Sequence, residues 1–405
     1  MTGSGVCQDG CMPFASRFRL RAAARAAHLA ALGASVVALA LLPACAQAQS
    51  HLEVGFLDNA YAGGDPSAYW NDAIALNAGF ARWDVNWREI APSEPPDPSN
   101  PADPAYRWSQ TDAFVRGAAA HGLSGRVLFT VWMTPPWASD TARPTQMPRL
   151  ADWRAFVRAC ATRYSGTYTP PGQSEPLPRV TAWEAWNEPN SSWSLKPQRI
   201  GRRHVGARNY VKLLHSLEQE VTAQVDFKPT FVAGSLYKQA GRYSTGPIDF
   251  MREMKAAHAT FDVLSMHPYN NFPRLGMADG AGQSKKKPKY MTLANVQDYI
   301  AIANAIFKKR YPIWITEVGL PTVAPGKTQY AASYGQQRTY VTKAIAKVAR
   351  IKQVKRFTWF LIRDDPPRPF GAWWTTGLRT SSGEAKPSFA AFAAATAKLQ
   401  PSPIK

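Results

Sequence analysis

The sequence contains little cysteine. Four of its 405 residues are Cys, and three of them, Cys7, Cys11 and Cys45, lie within the first 45 positions. Cys160 would be the single cysteine left after N-terminal processing, which excludes a framework of internal disulfides. No His pattern accompanies Cys160, and we interpret it as a small buried hydrophobic residue on a helix rather than as a thiol nucleophile.

Acidic residues are also scarce relative to basic ones, at 28 against 48, and the net charge is +20. The four Arg and one Asp of residues 1–48 carry +3, which leaves +17 for the remainder. A basic secreted protein is attracted to acidic polysaccharide, wall polymer or lipid headgroups. An acidic glycan is therefore one candidate partner, although such a charge also serves solubility. The basic residues are dispersed apart from those in 285–289, and without a nucleic-acid motif we expect no nucleic acid partner.

No apolar run is long enough to predict a transmembrane span. The most apolar stretch, 29–42, follows an arginine-rich segment and precedes Ala46-Gln47-Ala48. This order predicts a secretory signal peptide in residues 1–48, with Met12 as an alternative start, and hence a secreted protein. The segment Leu42-Pro43-Ala44-Cys45 leaves a second route open, in which a lipid on Cys45 anchors the chain.

Short apolar runs alternate with amphipathic segments through the rest of the chain. The apolar runs predict eight strands, at 52–57, 79–85, 126–131, 180–186, 230–233, 261–266, 312–316 and 356–361. Such alternation is typical of parallel β/α units. Eight units predict an α/β fold, a (β/α)8 TIM barrel, as a single catalytic domain over residues 49–400. We expect a monomer.

Polar and aromatic residues gather where the predicted strands end. A TIM barrel carries its chemistry at the carboxyl ends of its strands, so these side chains are candidates for one site. They are Arg82, Trp137, Asn187, Glu188, His267, Tyr269, Glu317 and Trp359. We interpret Asp84, which also follows the second strand, as a structural partner of Arg or of backbone.

Glu188 and Glu317, at the ends of the fourth and seventh strands, predict a pair of catalytic carboxyl groups. Retaining glycosidases use one carboxyl as acid/base and the other as nucleophile, roughly 5–5.5 Å apart. Glu188 is the predicted acid/base, because burial and a neighbouring like charge would hold it protonated. The aromatic residues expected to surround it are Trp183, Trp186 and Trp193. Glu317 is the predicted nucleophile, kept ionised by Arg82 and Tyr269.

Several segments resemble the catalytic motifs of clan A glycoside hydrolases. Residues 186–190 (WNEPN) resemble the acid/base motif, 315–319 (ITEVG) the nucleophile strand, and 267–269 (HPY) the segment after the sixth strand. Within the clan, the sequence is most similar to families 39 and 5, among xylosidases, endoglucanases and exopolysaccharide hydrolases.

The resemblance implies a role for each matching residue. Asn187 would bind the sugar 2-hydroxyl, and Arg82 and Tyr269 would position Glu317. His267 would line the subsite. Two aromatic residues would contact sugar, with Trp359 as the platform at the cleavage point and Trp137 stacking nearby.

The sequence thus predicts a secreted retaining glycoside hydrolase that cleaves β-glycosidic bonds of a polysaccharide or oligosaccharide. A catalytically silent barrel that binds cell-wall or capsular polysaccharide is the alternative, since a fold does not by itself make an enzyme. No His-x-His or Asp/His cluster lies at the strand ends, so we expect neither metal nor cofactor. The sugar, its linkage and the choice between endo and exo action stay open.

Overall fold

The computed structural model describes residues 52–242, 244–322, 331–367 and 374–399. The predicted signal peptide, the Met12 start and the lipid site at Cys45 lie outside these ranges. Within them, no helix has the length and apolarity that crossing a membrane requires.

Eight parallel strands form a closed barrel in the described part of the chain. They are β1 (Glu53–Leu57), β2 (Phe80–Asn86), β3 (Val127–Trp132), β4 (Ala182–Ala185), β5 (Thr230–Leu236), β6 (Val263–Met266), β7 (Ile313–Val318) and β8 (Val354–Trp359). Each strand pairs with its neighbours in sequence, and β8 pairs with β1 to close the barrel. The predicted (β/α)8 barrel is confirmed, and all eight predicted strands are found with shifted ends.

A helix of ten residues or more follows each strand. These helices are α1 (Pro66–Ala75), α2 (Ser109–Ala120), α3 (Leu150–Arg163), α4 (Gly206–Gln224), α5 (Pro247–Ala256), α6 (Val296–Phe307), α7 (Tyr334–Val348) and α8 (Pro387–Ala397). Local sequence sets several of their starts. Asp65 accepts the Ala68 amide ahead of Pro66, and Ser333 and Gln336 form a capping box.

Shorter elements lie between the strands and these helices, on the loops of the carboxyl rim. They are the helices Asn59–Gly64 and Trp87–Ile90, the 3₁₀ turns Pro136–Ala138 and Pro273–Ala278, and the antiparallel pair Arg199–Ile200 and Arg203–His204. In a TIM barrel this rim carries the active site.

The barrel interior changes from apolar to polar along the strands. An apolar layer comes first, formed by Leu128, Ala182, Val232, Val263 and Trp314. Side chains alternate between the two faces of a strand, so residues two positions further on also face inward. A buried polar layer occupies those later positions, with Arg82, Thr130, Glu184, Ser265 and Thr316. A fully buried polar layer directly below the rim requires hydrogen-bond partners, and the candidate site supplies them.

Candidate active site

Arg82, the third residue of β2, connects the polar layer to the rim. Its Nε donates to Thr130 Oγ1 at 2.9 Å, and its Nη1 donates to the Thr316 carbonyl at 2.9 Å. The same Nη1 lies 3.1 Å from Glu317 Oε2, and Nη2 donates to Asn187 Oδ1 at 2.8 Å. Because the guanidinium is planar and rigid, Arg82 fixes groups from β3, β4 and β7 relative to one another.

Three acidic groups surround the Arg82 guanidinium. Nη2 lies 3.2 Å from Asp84 Oδ1 and 3.7 Å from Glu184 Oε2, in addition to the contact with Glu317. Burial alone would lower the pKa of Arg82, but these carboxylates raise it above its ordinary value. Burial also raises the pKa of Asp84 to about 7, with Arg82 opposing the shift. Asp84 is thus an ion-pair partner of Arg82.

Glu317 lies where β7 departs from regular pairing with β8. The register between these strands shifts between the pairs Phe357–Ile315 and Trp359–Val318, so β7 carries one extra residue there. A bulge of this kind re-aims a side chain. Tyr269 donates to Glu317 Oε1 at 2.8 Å, while Arg82 holds the other oxygen. Two donors on two oxygens stabilise the carboxylate form of Glu317.

Glu188 follows β4 in a sharply turned segment. Its φ is 45° and that of Trp186 is 64°, both in the left-handed region. Such conformations cost a side-chain-bearing residue about 1–3 kcal/mol and recur at functional sites. Burial raises the pKa of Glu188 to about 7, although the charges of Arg82 and Lys238 oppose the shift. Glu188 therefore exists in both protonation states near neutral pH.

His267 lies between the two glutamates. Its Nδ1 is 3.2 Å from Glu188 Oε1 and 3.9 Å from Glu317 Oε2. Burial lowers the pKa of the fully buried imidazole to about 4, so the ring is neutral at neutral pH. Nε2 faces Thr316 Oγ1 at 3.0 Å and Arg82 Nη1 at 3.5 Å. Both neighbours can donate, which favours the tautomer that carries its proton on Nδ1.

Asn187 lies beside Glu188 and is oriented by Arg82. The guanidinium binds Asn187 Oδ1, so the amide NH₂ is left to donate elsewhere. The side chain is partly exposed. The structure therefore brings together Arg82, Asn187, Glu188, His267, Tyr269 and Glu317, six of the eight residues singled out by sequence.

Glu184, in the polar layer beneath these residues, was missed by the sequence analysis. It is fully buried and accepts hydrogen bonds from Thr130 Oγ1 at 2.7 Å and Ser265 Oγ at 2.6 Å. Its charge lies next to Arg82 rather than at the rim. The signal was present in the sequence, as a lone charged residue inside the buried run of the fourth strand.

Trp359 does not occupy the position predicted for a sugar platform. It is fully buried, its ring contacts Tyr340 of α7 and Phe392 of α8, and its Nε1 donates to the Thr376 carbonyl at 3.0 Å. The side chain therefore faces the helix layer and presents no face to sugar. Phe360, the next residue, has a partly exposed ring that meets Trp374 edge-on at 5.5 Å. Strand alternation places Phe360 on the opposite side from Trp359.

The remaining tryptophans take different positions. Trp137 lies on the rim, partly exposed, with its Nε1 bonded to the Ala91 carbonyl and its ring edge-on to Trp87. The expected aromatic surroundings of Glu188 are not observed as a group. Trp183 is fully buried against Phe129 and Trp186 against Trp153, whereas Trp193 is 82% exposed. Desolvation of Glu188 comes from burial in the barrel mouth.

The described residues contain no group of three or more His, Cys, Asp or Glu side chains arranged to hold a metal ion. Hydrogen-bond donors, two carboxyl groups and a neutral imidazole are the chemical groups that the rim provides.

A family model matches about half of the described chain, across the segments that carry most of the candidate site. Residues 181–370, which include Glu188, His267 and Glu317, match the family model described as glycosyl hydrolase catalytic core. The chain is thus similar, over this stretch, to the catalytic core of glycosyl hydrolases. None of the curated proteins matches it significantly by sequence.

Solved structures of glycoside hydrolases share the fold of this chain. A family 39 glycoside hydrolase from Bacteroides cellulosilyticus WH2 superposes with a TM-score of 0.60 at 19% identity, over 86% of this chain and 64% of that one. A monomeric β-xylosidase from Caulobacter crescentus CB15 superposes with a TM-score of 0.57 at 16% identity, over 86% of this chain and 68% of that one. A GH5_18 protein from Streptomyces cattleya superposes with a TM-score of 0.53 at 15% identity, over 87% of this chain and 82% of that one. The chain thus spans just under two thirds of the length of the family 39 enzyme.

Proposed function

We propose that this protein is a glycosidase that hydrolyses β-glycosidic bonds of a polysaccharide or oligosaccharide by double displacement, with retention of anomeric configuration. Glu188 is the acid/base and Glu317 the nucleophile. One observation carries this proposal: two carboxyl groups in opposite electrostatic environments flank the same His267 nitrogen. Desolvation favours the protonated form of Glu188, while Arg82 and Tyr269 favour the ionised form of Glu317.

In the first step Glu188 gives its proton to the glycosidic oxygen, and the bond between that oxygen and the anomeric carbon breaks. A Glu317 oxygen forms a new bond to the anomeric carbon from the opposite face, giving a glycosyl ester. Asn187 is oriented to donate its NH₂ to a sugar hydroxyl, a contact that strengthens as charge develops on the ring. His267 stabilises Glu188 after it has given up its proton, because the Nδ1–H of His267 can donate a hydrogen bond to the carboxylate that forms.

In the second step water replaces the leaving group beside Glu188, which is now ionised. Glu188 takes a proton from that water, whose oxygen bonds to the anomeric carbon while the ester bond to Glu317 breaks. Arg82 and Tyr269 receive the returning carboxylate charge. A pKa near 7 suits a group that acts as acid and then as base around neutral pH.

An upper limit on the distance between the two carboxyl groups is compatible with retention. The two contacts of His267 Nδ1 keep Glu188 Oε1 and Glu317 Oε2 within about 7 Å of each other, which admits the roughly 5–5.5 Å of retaining enzymes and excludes most of the roughly 6.5–9.5 Å range of inverting ones. The sum of the two contacts is an upper limit, because it assumes that both oxygens lie in line with the nitrogen.

The surface around the rim supports an acidic glycan as substrate. Arg199, Arg202 and Arg203 are exposed on the short hairpin after β4. On the loop after β6, four further cations are exposed, namely Lys285, Lys286, Lys287 and Lys289. Positive charge on two rim loops would raise the local concentration of a polyanion. If this is the role of the charge, turnover of oligo-β-D-mannuronate falls steeply with added NaCl, whereas faster turnover of neutral xylan, together with salt-independent turnover of the mannuronate, would contradict it.

We also propose that the protein is secreted, on the basis of the arginine-rich and apolar N-terminal segment. Expression of the full chain followed by N-terminal sequencing of the extracellular protein tests this. A mature terminus at Gln49 is expected. Protein that stays with the membrane and carries a diacylglyceryl mass on Cys45 would support the lipid route instead.

Product analysis is the experiment that tests the activity. Purified protein is incubated with aryl β-xylosides and β-glucosides, xylan, cellulose oligomers and oligo-β-D-mannuronate, with Glu317→Ala as the matched control. The aryl β-xylosides and β-glucosides correspond to two proteins with similar structures, a β-xylosidase and a glucosidase. Release of reducing sugar by the wild type and not by Glu317→Ala supports hydrolysis. Binding of a polymer without any release above the control would favour the silent polysaccharide-binding barrel.

A further inference from the structure

Trp193 is the most exposed large hydrophobic side chain in the described part of the chain. Its side chain is 82% accessible, whereas Trp183 and Trp186 on the same segment are fully buried. An exposed indole gains nothing from the hydrophobic effect in the free protein, and large aromatic rings are over-represented where a partner binds. Its exposure therefore requires an explanation that the fold does not provide.

The backbone that carries Trp193 is rigidly attached to the catalytic segment. The Ser191 amide donates to the Glu188 carbonyl at 2.9 Å, and the Trp193 amide donates to Ser191 Oγ at 3.2 Å. Ser194 Oγ donates to the Asn187 carbonyl, and the Leu195 amide to the Ser191 carbonyl at 2.9 Å. Flanking residues Ser192 and Ser194 are buried. The indole is thus presented from a braced turn, which reduces the entropy lost when a ligand binds.

Catalytic chemistry fixes which part of a substrate would meet this turn. The acid must touch the glycosidic oxygen of the leaving group, so the leaving sugar lies against Glu188. The nucleophile Glu317 and its donors Arg82 and Tyr269 come from β7, β2 and the segment after β6, and a nucleophile attacks the anomeric carbon from the face opposite the leaving group. The turn that starts at the Glu188 carbonyl and carries Trp193 is therefore on the leaving-group side.

The adjoining hairpin has complementary chemistry. Gln198, which precedes it, donates to the Pro189 and Leu195 carbonyls at 2.7 and 2.8 Å, so the hairpin and the Trp193 turn share one support. The exposed arginines of the hairpin can bind a carboxylate, and the indole face of Trp193 can cover the apolar C–H face of a pyranose ring.

We propose that Trp193 is a platform for the leaving-group sugar of a β-linked oligosaccharide. This inference rests on the proposed function, because the side of the bond is assigned from Glu188 as the acid. The platform acts on substrates whose leaving group is a sugar. It has no part in substrates whose leaving group is a small phenol, since their glycone occupies the opposite side.

The test compares two kinds of substrate in Trp193→Ala. Xylotetraose, cellotetraose and oligo-β-D-mannuronate tetramer are the oligosaccharide probes, and the matching 4-nitrophenyl β-glycosides are the aryl probes. We expect kcat/KM for the cleaved tetramer to fall about tenfold, and kcat/KM for the aryl glycoside to stay within about twofold. Trp193→Phe should retain most of the activity on the tetramer, because an aromatic face is kept.

Ile74→Ala is the matched control, because it removes an exposed apolar side chain (43% accessible) from α1, away from the rim. It should leave both substrates unaffected. An equal loss on both substrates in Trp193→Ala, or no loss on either, would overturn the proposal.

A binding experiment separates this inference from the proposed function. The Glu317→Ala variant is titrated calorimetrically with each tetramer, with and without Trp193→Ala. About tenfold weaker binding in the double variant supports the platform even if the wild type hydrolyses none of the probes, in which case hydrolysis fails and the binding site stands. Equal affinity of the two variants for every tetramer that binds, or no binding of any tetramer to either variant, would overturn the platform.

Discussion

His267 Nδ1 lies 3.2 Å from Glu188 Oε1, and the imidazole that makes this contact is fully buried and neutral. A neutral partner leaves desolvation as the main influence on the pKa of Glu188, so this carboxyl can be protonated near neutral pH. A histidine that stayed charged at this position would instead favour the ionised form and deprive the site of its acid.

The pH dependence of kcat/KM should therefore show an alkaline limb near pH 7. Burial raises the pKa of Glu188 to about 7, and the protonated form is the one that acts as acid. Activity is expected to fall about tenfold per pH unit well above that value. Initial rates on an aryl glycoside between pH 5 and 9 check this. In Glu188→Gln the residual activity should lack the limb, and an unchanged limb in that variant would assign the titration to another group.

Stability should depend on pH through the same residue. The pKa of Glu188 is higher in the folded protein, at about 7, than its ordinary value of 4.5. The contribution of the protonated group is present below pH 4.5 and is lost as pH rises through 7. The free energy of unfolding of Glu188→Gln minus that of the wild type should therefore be about 2 kcal/mol larger at pH 8 than at pH 5. Urea denaturation at both values measures this, and a difference independent of pH would contradict the shift.

Arg82→Lys should impair the site more than the fold. Lysine keeps the charge but cannot reach Thr130, Asn187 and Glu317 together, so kcat/KM should fall at least about a hundredfold. Arg379→Lys is the matched control, because Arg379 donates two hydrogen bonds to the carboxylate of Asp72, outside the site. Steady-state kinetics of both variants decide the matter, and similar losses in the two would show that any weakened arginine pair has the same effect.

Glu184 is expected to act through Arg82 and the polar layer. Glu184→Ala removes the buried carboxylate that accepts hydrogen bonds from the Thr130 and Ser265 hydroxyls, and one of the three carboxylates around Arg82, so it should lower the free energy of unfolding by about 3 kcal/mol. Glu184→Gln keeps the shape and should cost less. Denaturation of the two variants checks this order, and equal stability of Glu184→Ala and wild type would contradict it.

Phe360 and Trp359 should differ in what they affect. Phe360→Ala removes the partly exposed ring and should lower kcat/KM for an aryl glycoside about tenfold with little loss of stability. Trp359→Phe removes the hydrogen bond to the Thr376 carbonyl and should cost about 1–2 kcal/mol of stability with activity kept. Kinetics and thermal unfolding of both variants distinguish them. The reverse pattern would restore Trp359 as the platform expected from sequence.

Strand positions were predictable because hydrophobic periodicity and the carboxyl-end rule act locally. A run such as 312–316 followed by Glu317 already indicates a strand with a rim residue after it. The contacts between Arg82, Asn187, Tyr269 and Glu317 then follow from barrel closure, which brings the strand ends together.

Other features depended on details that periodicity does not encode. Trp359 and Phe360 are adjacent aromatic residues, and one register step decides which of them faces the helices. Trp193 lies near Glu188 in sequence, but the buried serines on either side turn its indole outward. The hydrogen bonds of Glu184 could not be predicted from sequence, because their donors, Thr130 and Ser265, lie on other strands of the barrel.

Trapping the covalent intermediate tests the central assignment most directly. The protein is incubated with 2,4-dinitrophenyl 2-deoxy-2-fluoro-β-D-xyloside and its glucoside analogue, then digested and sequenced by tandem mass spectrometry. We predict one fluorosugar per chain, attached to Glu317, with its formation slowed in Arg82→Lys. A label on Glu188 or any other residue, or turnover of these glycosides with inverted anomeric configuration, would contradict the assignment of Glu317 as nucleophile.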